Sequence, residues 1–157
     1  MRIVVVAFAV ACTGPTPDLE TGRVKNLTWT GGLCPASFRC AGKLELEGDR
    51  VTARQSNGTL VGTATLSQAL LDDVASQIAK IPGDQPLQGS TQGCAIDDSG
   101  GIVLGIDFEL SGFRSYNYPC GALGGLGPVV TTLREVTEAF AQCSSTSRIS
   151  IDPGCAP

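Results

Sequence analysis

Seven cysteines and no histidine frame the chemistry open to this 157-residue chain. Without an imidazole, neither a serine–histidine–aspartate triad nor a cysteine–histidine pair can be assembled. Lys25, Lys43 and Lys80 leave serine–lysine catalysis open in principle, but no S-x-x-K run accompanies them. Two acidic pairs, Asp97/Asp98 and Asp107/Glu109, have the residue types of a glycosidase. The first reads more simply as turn chemistry, and the second falls on the solvated face of a strand. Asp97-Asp98-Ser99-Gly100 lacks the alternate-position oxygens and the closing glutamate of a calcium loop. Glycines 121, 124, 125 and 127 come without the lysine of a phosphate-binding loop. The expectation is a protein that is not an enzyme, with no catalytic residue, no metal site and no cofactor.

The cysteines are better read as braces. Cys34, Cys40, Cys94, Cys120, Cys143 and Cys155 are separated by 6, 54, 26, 23 and 12 positions, which is not zinc-ligand spacing. Six cysteines allow fifteen pairings, and spacing does not choose among them. The working expectation joins sequence neighbours: Cys34–Cys40, Cys94–Cys120 and Cys143–Cys155. The seventh, Cys12, makes the count odd, and an odd cysteine in an exported protein needs its own explanation.

The first twelve residues supply one. Arg2 precedes nine apolar residues, Ile3 through Ala11, and Ala9 and Ala11 form an A-x-A cut site before Cys12. Nine helical residues rise roughly 14 Å, against about 30 Å of hydrocarbon, so this run does not span a bilayer. Ala9-Val10-Ala11-Cys12 resembles a bacterial lipobox, with alanine where leucine is commonest. That resemblance implies a signal peptide over residues 1–11 and a lipidated Cys12 held on a membrane through its acyl (palmitate-type) chains. Ordinary cleavage at the same bond, giving a periplasmic or secreted protein, is the alternative. With Thr13 next to Cys12, the resemblance points to the outer membrane or cell surface. If Cys12 carries lipid, six thiols remain to pair.

Those braces need a body. Residues 12–25 are polar and hold Pro15 and Pro17, so they read as a tether. Residues 26–157 are expected to form one domain. Residues 26–30 can form a first strand. In residues 43–47, Leu44 and Leu46 alternate with charged residues, Gly48-Asp49 makes a turn, and residues 50–54 return with Val51 and Ala53 inward. That register sets Leu46 against Val51 and Glu47 against Arg50. A short strand follows over residues 59–64. Thr65 and Gln68 fit a capping box ahead of a helix carrying Leu70, Leu71, Val74, Ile78 and Ile81 on one stripe, stopped by Pro82-Gly83.

Beyond Cys94 the alternation of Ile102, Leu104, Ile106, Phe108 and Leu110 predicts a long strand. Ser111-Gly112 turns it into residues 113–118, then residues 121–127 form a glycine-rich link. A second helix opens at Pro128, with Val129, Leu133, Val136, Phe140 and Cys143 inward. Collected, these predict an α+β two-layer sandwich, an antiparallel sheet packed against two helices in the order β-β-β-α-β-β-α, braced by disulfides.

Candidate binding residues are Trp29 with Phe38, as an aromatic knob near the first cysteine loop, and Arg114, Tyr116 and Tyr118, which share a strand face. Each has a plainer reading, core filling for Trp29 and cross-strand packing for the three. The net charge is −4 and the Lys/Arg residues are scattered, so no nucleic-acid partner is expected. The order Thr30-Gly31-Gly32, hairpin, Leu66-Ser67 with helix, long strand and final helix resembles emfourin-like inhibitors of thermolysin-type metalloproteases. The layout is also similar to that of cysteine-bearing envelope lipoproteins. The resemblance implies a protein partner, a proteinase being the most concrete.

Overall fold

The computed structural model describes residues 24–31, 42–89, 101–110, 112–119 and 123–156. Cys12, Cys34, Cys40, Cys94, Cys120, Phe38, Asp97 and Asp98 lie outside the described residues, as do the expected signal and most of the tether.

Among the described residues, seven strands form one antiparallel sheet in the order β6-β5-β1-β2-β3-β4-β7. They are β1 (Val24–Gly31), β2 (Lys43–Glu47), β3 (Arg50–Arg54), β4 (Leu60–Leu66), β5 (Ile102–Phe108), β6 (Gly112–Tyr118) and β7 (Ile149–Ile151). The β2–β3 hairpin has the bounds and register that its alternation predicts, with Leu46 opposite Val51 and Glu47 opposite Arg50. Gly48 supplies the positive φ of the turn.

Strand β1 sits between β2 and β5, so Trp29 faces Leu44 on one side and Leu104 on the other. The inner face is thereby built in rows across strands. One runs Tyr116, Leu104, Trp29, Leu44, Ala53; the next runs Arg114, Ile106, Leu27, Leu46, Val51, Ala64, Ile151. Every apolar member but Ile151 is buried. The outer face carries the alternate residues, among them Asn26, Thr28, Glu45, Thr52 and Thr63, as a period of two requires.

Helix α1 (Gln68–Ala79) buries Leu70, Val74 and Ile78, and α2 (Gly127–Gln142) buries Val129, Val130, Leu133, Val136, Ala139 and Phe140. These stripes join the sheet's inner rows in one apolar core. Burial at roughly 25 cal/mol per Å² of apolar surface is what holds helices and sheet together.

Several expectations are corrected. Sheet predominates, rather than an even two-layer α+β body. The strand read over residues 59–64 is present as β4, so four strands precede α1 where the collected order counted three; the tail adds β7, and among the described residues the order is β-β-β-β-α-β-β-α-β. Thr65 is not the helix cap: it stays in β4, paired with Arg50 and Ser150. Ser67 caps instead, its Oγ accepting from the Leu70 N–H at 3.3 Å. Leu110 leaves the predicted stripe because β5 ends at Phe108 and the chain turns. Residues 124–126 form a 3₁₀ turn rather than a loose link. Cys143 does not continue the α2 stripe but ends the helix in the left-handed region (φ 45, ψ 40). The Ser144 N–H reaches the Ala139 carbonyl and the Cys143 N–H reaches Phe140, the paired bonds of a Schellman ending.

The Cys143–Cys155 disulfide is present, with an S–S distance of 2.01 Å and a Cα–Cα distance of 5.7 Å. It fastens the tail where the Ala156 N–H bonds the Val61 carbonyl (3.0 Å) and the Asp152 N–H bonds Thr63 (2.9 Å).

Candidate functional site

Where the sheet ends at β6, alternation sends Tyr116 and Tyr118 inward and Phe113, Ser115 and Asn117 outward. Tyr116 is 1% exposed and Tyr118 4%, so the two tyrosines belong to the core. Their companion Arg114 is half-buried at the rim of the same face, opposite Ile106. Trp29 is likewise core, at 1% exposure, and its indole N–H meets no acceptor among the described residues. Three of the four described candidates are thus packed away, and Arg114 alone reaches solvent.

Large apolar side chains outside that candidate set are more exposed. Five large apolar side chains are exposed among the described residues: Leu60, Leu87, Val103, Leu110 and Phe113. Four of them border one end of the sheet. Val103 is on β5, Leu110 in the β5–β6 turn, Phe113 on β6, and Leu87 on the segment alongside β6. Leu110 is 70% exposed and Phe113 66%.

Phe113 has a defined seat. A Cβ placed on Gly105 would lie 2.9 Å from its Cζ and 2.5 Å from Thr28 Oγ1, so the ring rests over the space that glycine leaves. An aromatic ring covering a cross-strand glycine fixes register and stiffens the side chain. Asp107 stands directly opposite Phe113. The signal was legible in hindsight: in Gly112-Phe113-Arg114-Ser115 the aromatic and the arginine must take opposite faces.

The backbone of this edge is only part covered. Residues 87–89 run parallel beside β6: the Asn117 N–H bonds the Leu87 carbonyl (2.7 Å) and the Gly89 N–H bonds the Asn117 carbonyl (2.8 Å). Tyr118 holds this strap, its hydroxyl donating to the Pro86 carbonyl (2.6 Å) and accepting from Gln85 Nε2. Because N–H and C=O groups alternate sides along a strand, Phe113 and Ser115 point theirs the same way as Asn117. Among the described residues nothing pairs with them.

Elsewhere the outer face is laced with ion pairs. Lys43 meets Glu45 at 2.7 Å, Arg54 meets Glu45 at 3.5 Å, and Arg50 meets Asp152 at 2.7 Å. The hydrogen bond from Lys43, with the charges of Lys43 and Arg54, holds the Glu45 carboxyl below its ordinary value. A groove of about 490 Å³ lies between α1 and the β1–β2 end, with Leu27, Leu46, Leu71 and Ile78 in its wall. Leu27, Leu46 and Ile78 are already buried, so the groove offers little apolar area. No described helix is long and apolar enough to cross a membrane.

Fold and site together define an antiparallel sheet backed by helices, with one edge strand that over half its length has no partner among the described residues. No family model, curated protein or solved structure matches the chain.

Proposed function

We propose that the chain is an exported, non-enzymatic envelope lipoprotein, anchored through acyl groups on Cys12, whose domain binds a protein partner. Inhibition of a proteinase is its most concrete form, in keeping with the emfourin-like order of elements. The observation that carries the binding role is that four of the five large exposed apolar side chains among the described residues, Leu110, Phe113, Val103 and Leu87, fall on β5, β6 and the segments flanking them. Exposed apolar side chains gathered in one place mark interaction surfaces, whereas scattered ones need no explanation. The Cys143–Cys155 brace adds rigidity, and a rigid surface loses little entropy on binding. The finer architecture, an α+β body whose remaining cysteines also pair, belongs to the same proposal.

Intact mass spectrometry of the native protein, with and without reduction, tests the address: a mass beginning at Cys12 with added acyl groups is expected. A mass retaining Met1 overturns it. Photo-crosslinkers placed at Phe113 and at Asp72 on α1 test the role in native envelopes. A discrete adduct from Phe113 is expected, alongside stoichiometric inhibition of a metalloprotease in a panel. An envelope defect on deletion, with no adduct from any position, favours a structural lipoprotein instead.

A further inference from the structure

We infer that the open half of β6 takes up an extended segment of a partner protein as an added strand, with an acidic residue of that segment opposite Arg114. This deepens the binding role proposed above and rests on it. Strand addition needs unpaired N–H and C=O groups on an exposed edge, with side chains alternating above and below to choose the partner. Phe113 and Ser115 supply the backbone groups on the outward side of β6. The strap over Asn117 ends the opening on one side, and the Gly112 turn ends it on the other.

The side chains specify what enters. Phe113 and Ser115 sit on the outer face, so the incoming residues beside them are apolar or small. Arg114 lies between them on the opposite face, half-buried, with no ion-pair partner among the described residues. The incoming residue opposite it is therefore acidic, giving an apolar–acidic–apolar run.

A second copy of this chain is the poorer occupant. In antiparallel self-pairing, the register using all the open groups sets Phe113 against Ser115 of the other copy. That same register sets Arg114 against its own copy, and like charges directly opposite destabilise a sheet. Sliding toward Tyr118 runs into the strap; sliding toward Gly112 leaves Ser115 without a strand partner.

The test uses the full mature chain, isotope-labelled, in detergent. Three acetylated nonapeptides are titrated, identical except for a central Val-Glu-Val, Val-Lys-Val or Val-Pro-Val. The glutamate peptide is expected to shift the Phe113 and Ser115 amide signals and slow their exchange with solvent. The lysine peptide should bind at least threefold more weakly and the proline peptide not measurably. Ser115→Pro removes one open N–H at an edge position where proline is tolerated, and should abolish the response. Phe113→Ala keeps the backbone and should weaken binding about tenfold.

Shifts mapping to another surface, no shifts at all, or an unchanged response in Ser115→Pro overturn the inference. So does a dimer, seen by sedimentation, that Ser115→Pro dissolves. Envelope adducts formed only from Asp72 sink this edge and leave the binding role standing; adducts from no position sink the role itself.

Discussion

Replacing Cys143 and Cys155 together tests how the tail is held. Both are changed, so no lone thiol remains to pair elsewhere. The two are 12 positions apart, and a cross-link closing a loop of that length removes roughly 9–10 cal/mol/K from the unfolded chain, about 3 kcal/mol at 25 °C. Cys143 also occupies the left-handed region, which costs a residue with a Cβ about 1–2 kcal/mol and glycine far less. The Cys143→Ala/Cys155→Ala pair should therefore lose about 3 kcal/mol, whereas Cys143→Gly/Cys155→Ala should lose about 2, the glycine relieving the backbone. Equilibrium urea unfolding without reductant reads both numbers. Hydrogen exchange at the Asp152 and Ala156 amides, which bond Thr63 and Val61, should quicken in each. Two pairs as stable as the parent would refute the loop-entropy argument. A glycine pair less stable than the alanine pair would refute the argument about Cys143.

Other perturbations separate the remaining contacts. Ser67→Ala removes the cap of α1 and should cost about 1 kcal/mol in urea unfolding. Gly105→Val places a Cβ 2.5 Å from Thr28 Oγ1 and against the Phe113 ring; this overpacking should cost about 1–3 kcal/mol. Adding Phe113→Ala should return part of that loss, because the ring is what must move. At Gly89 a Cβ would fall 2.5 Å from Tyr118 Cδ1, so Gly89→Val should lift the strap and speed amide exchange at Asn117. Glu45 has a lowered folded value, so its ion pairs contribute above the ordinary glutamate value of 4.5 and are lost as pH falls through the lower folded one. Because Glu45, Lys43 and Arg54 are each partly exposed and screened by solvent, the contribution is about 0.5 kcal/mol. Glu45→Gln should flatten that acid-side slope by a corresponding amount.

How far the chain could be read in advance followed the range of each interaction. The β2–β3 hairpin was legible to the residue, since its alternation, its turn and its opposite charges are all local and agree. Helix α1 was legible in Leu70, Val74 and Ile78 but not in its ends, since it stops at Ala79 before Ile81 and does not begin from the expected cap. Thr65 and Ser67 are both good caps, and only pairing of Thr65 with Arg50 and Ser150 decides between them. Strand β7 was missed because three residues carry no period. It exists because β4 offers an edge and the disulfide holds the tail beside it. At the site the plainer readings of core filling and cross-strand packing match the burial: β1 paired with β5 and β2 sets Trp29 in the inner rows, and β6 paired with β5 sets Tyr116 and Tyr118 there. Phe113 drew no notice because its seat, Gly105, lies on another strand.

The two ends of the sheet are finished differently, and that difference bears on the binding role. An edge strand invites pairing with other chains, and proteins blunt it by shortness, charge or cover. At β7 the strand is three residues long, tied back by Cys143–Cys155 and flanked by the Arg50–Asp152 ion pair. At β6 a strap covers Asn117, and Phe113 and Ser115 are bare among the described residues, with exposed apolar side chains on β5, β6 and the flanking segments. Had selection acted only against aggregation, the longer edge would need the fuller cover. On the proposed reading, a seven-residue edge guarded at one end, with Arg114 at the centre of the half left bare among the described residues, suits admission of one kind of strand and rejection of its own copy. The sequence of the admitted segment, apolar around an acid, is thus the property on which the reading stands or falls.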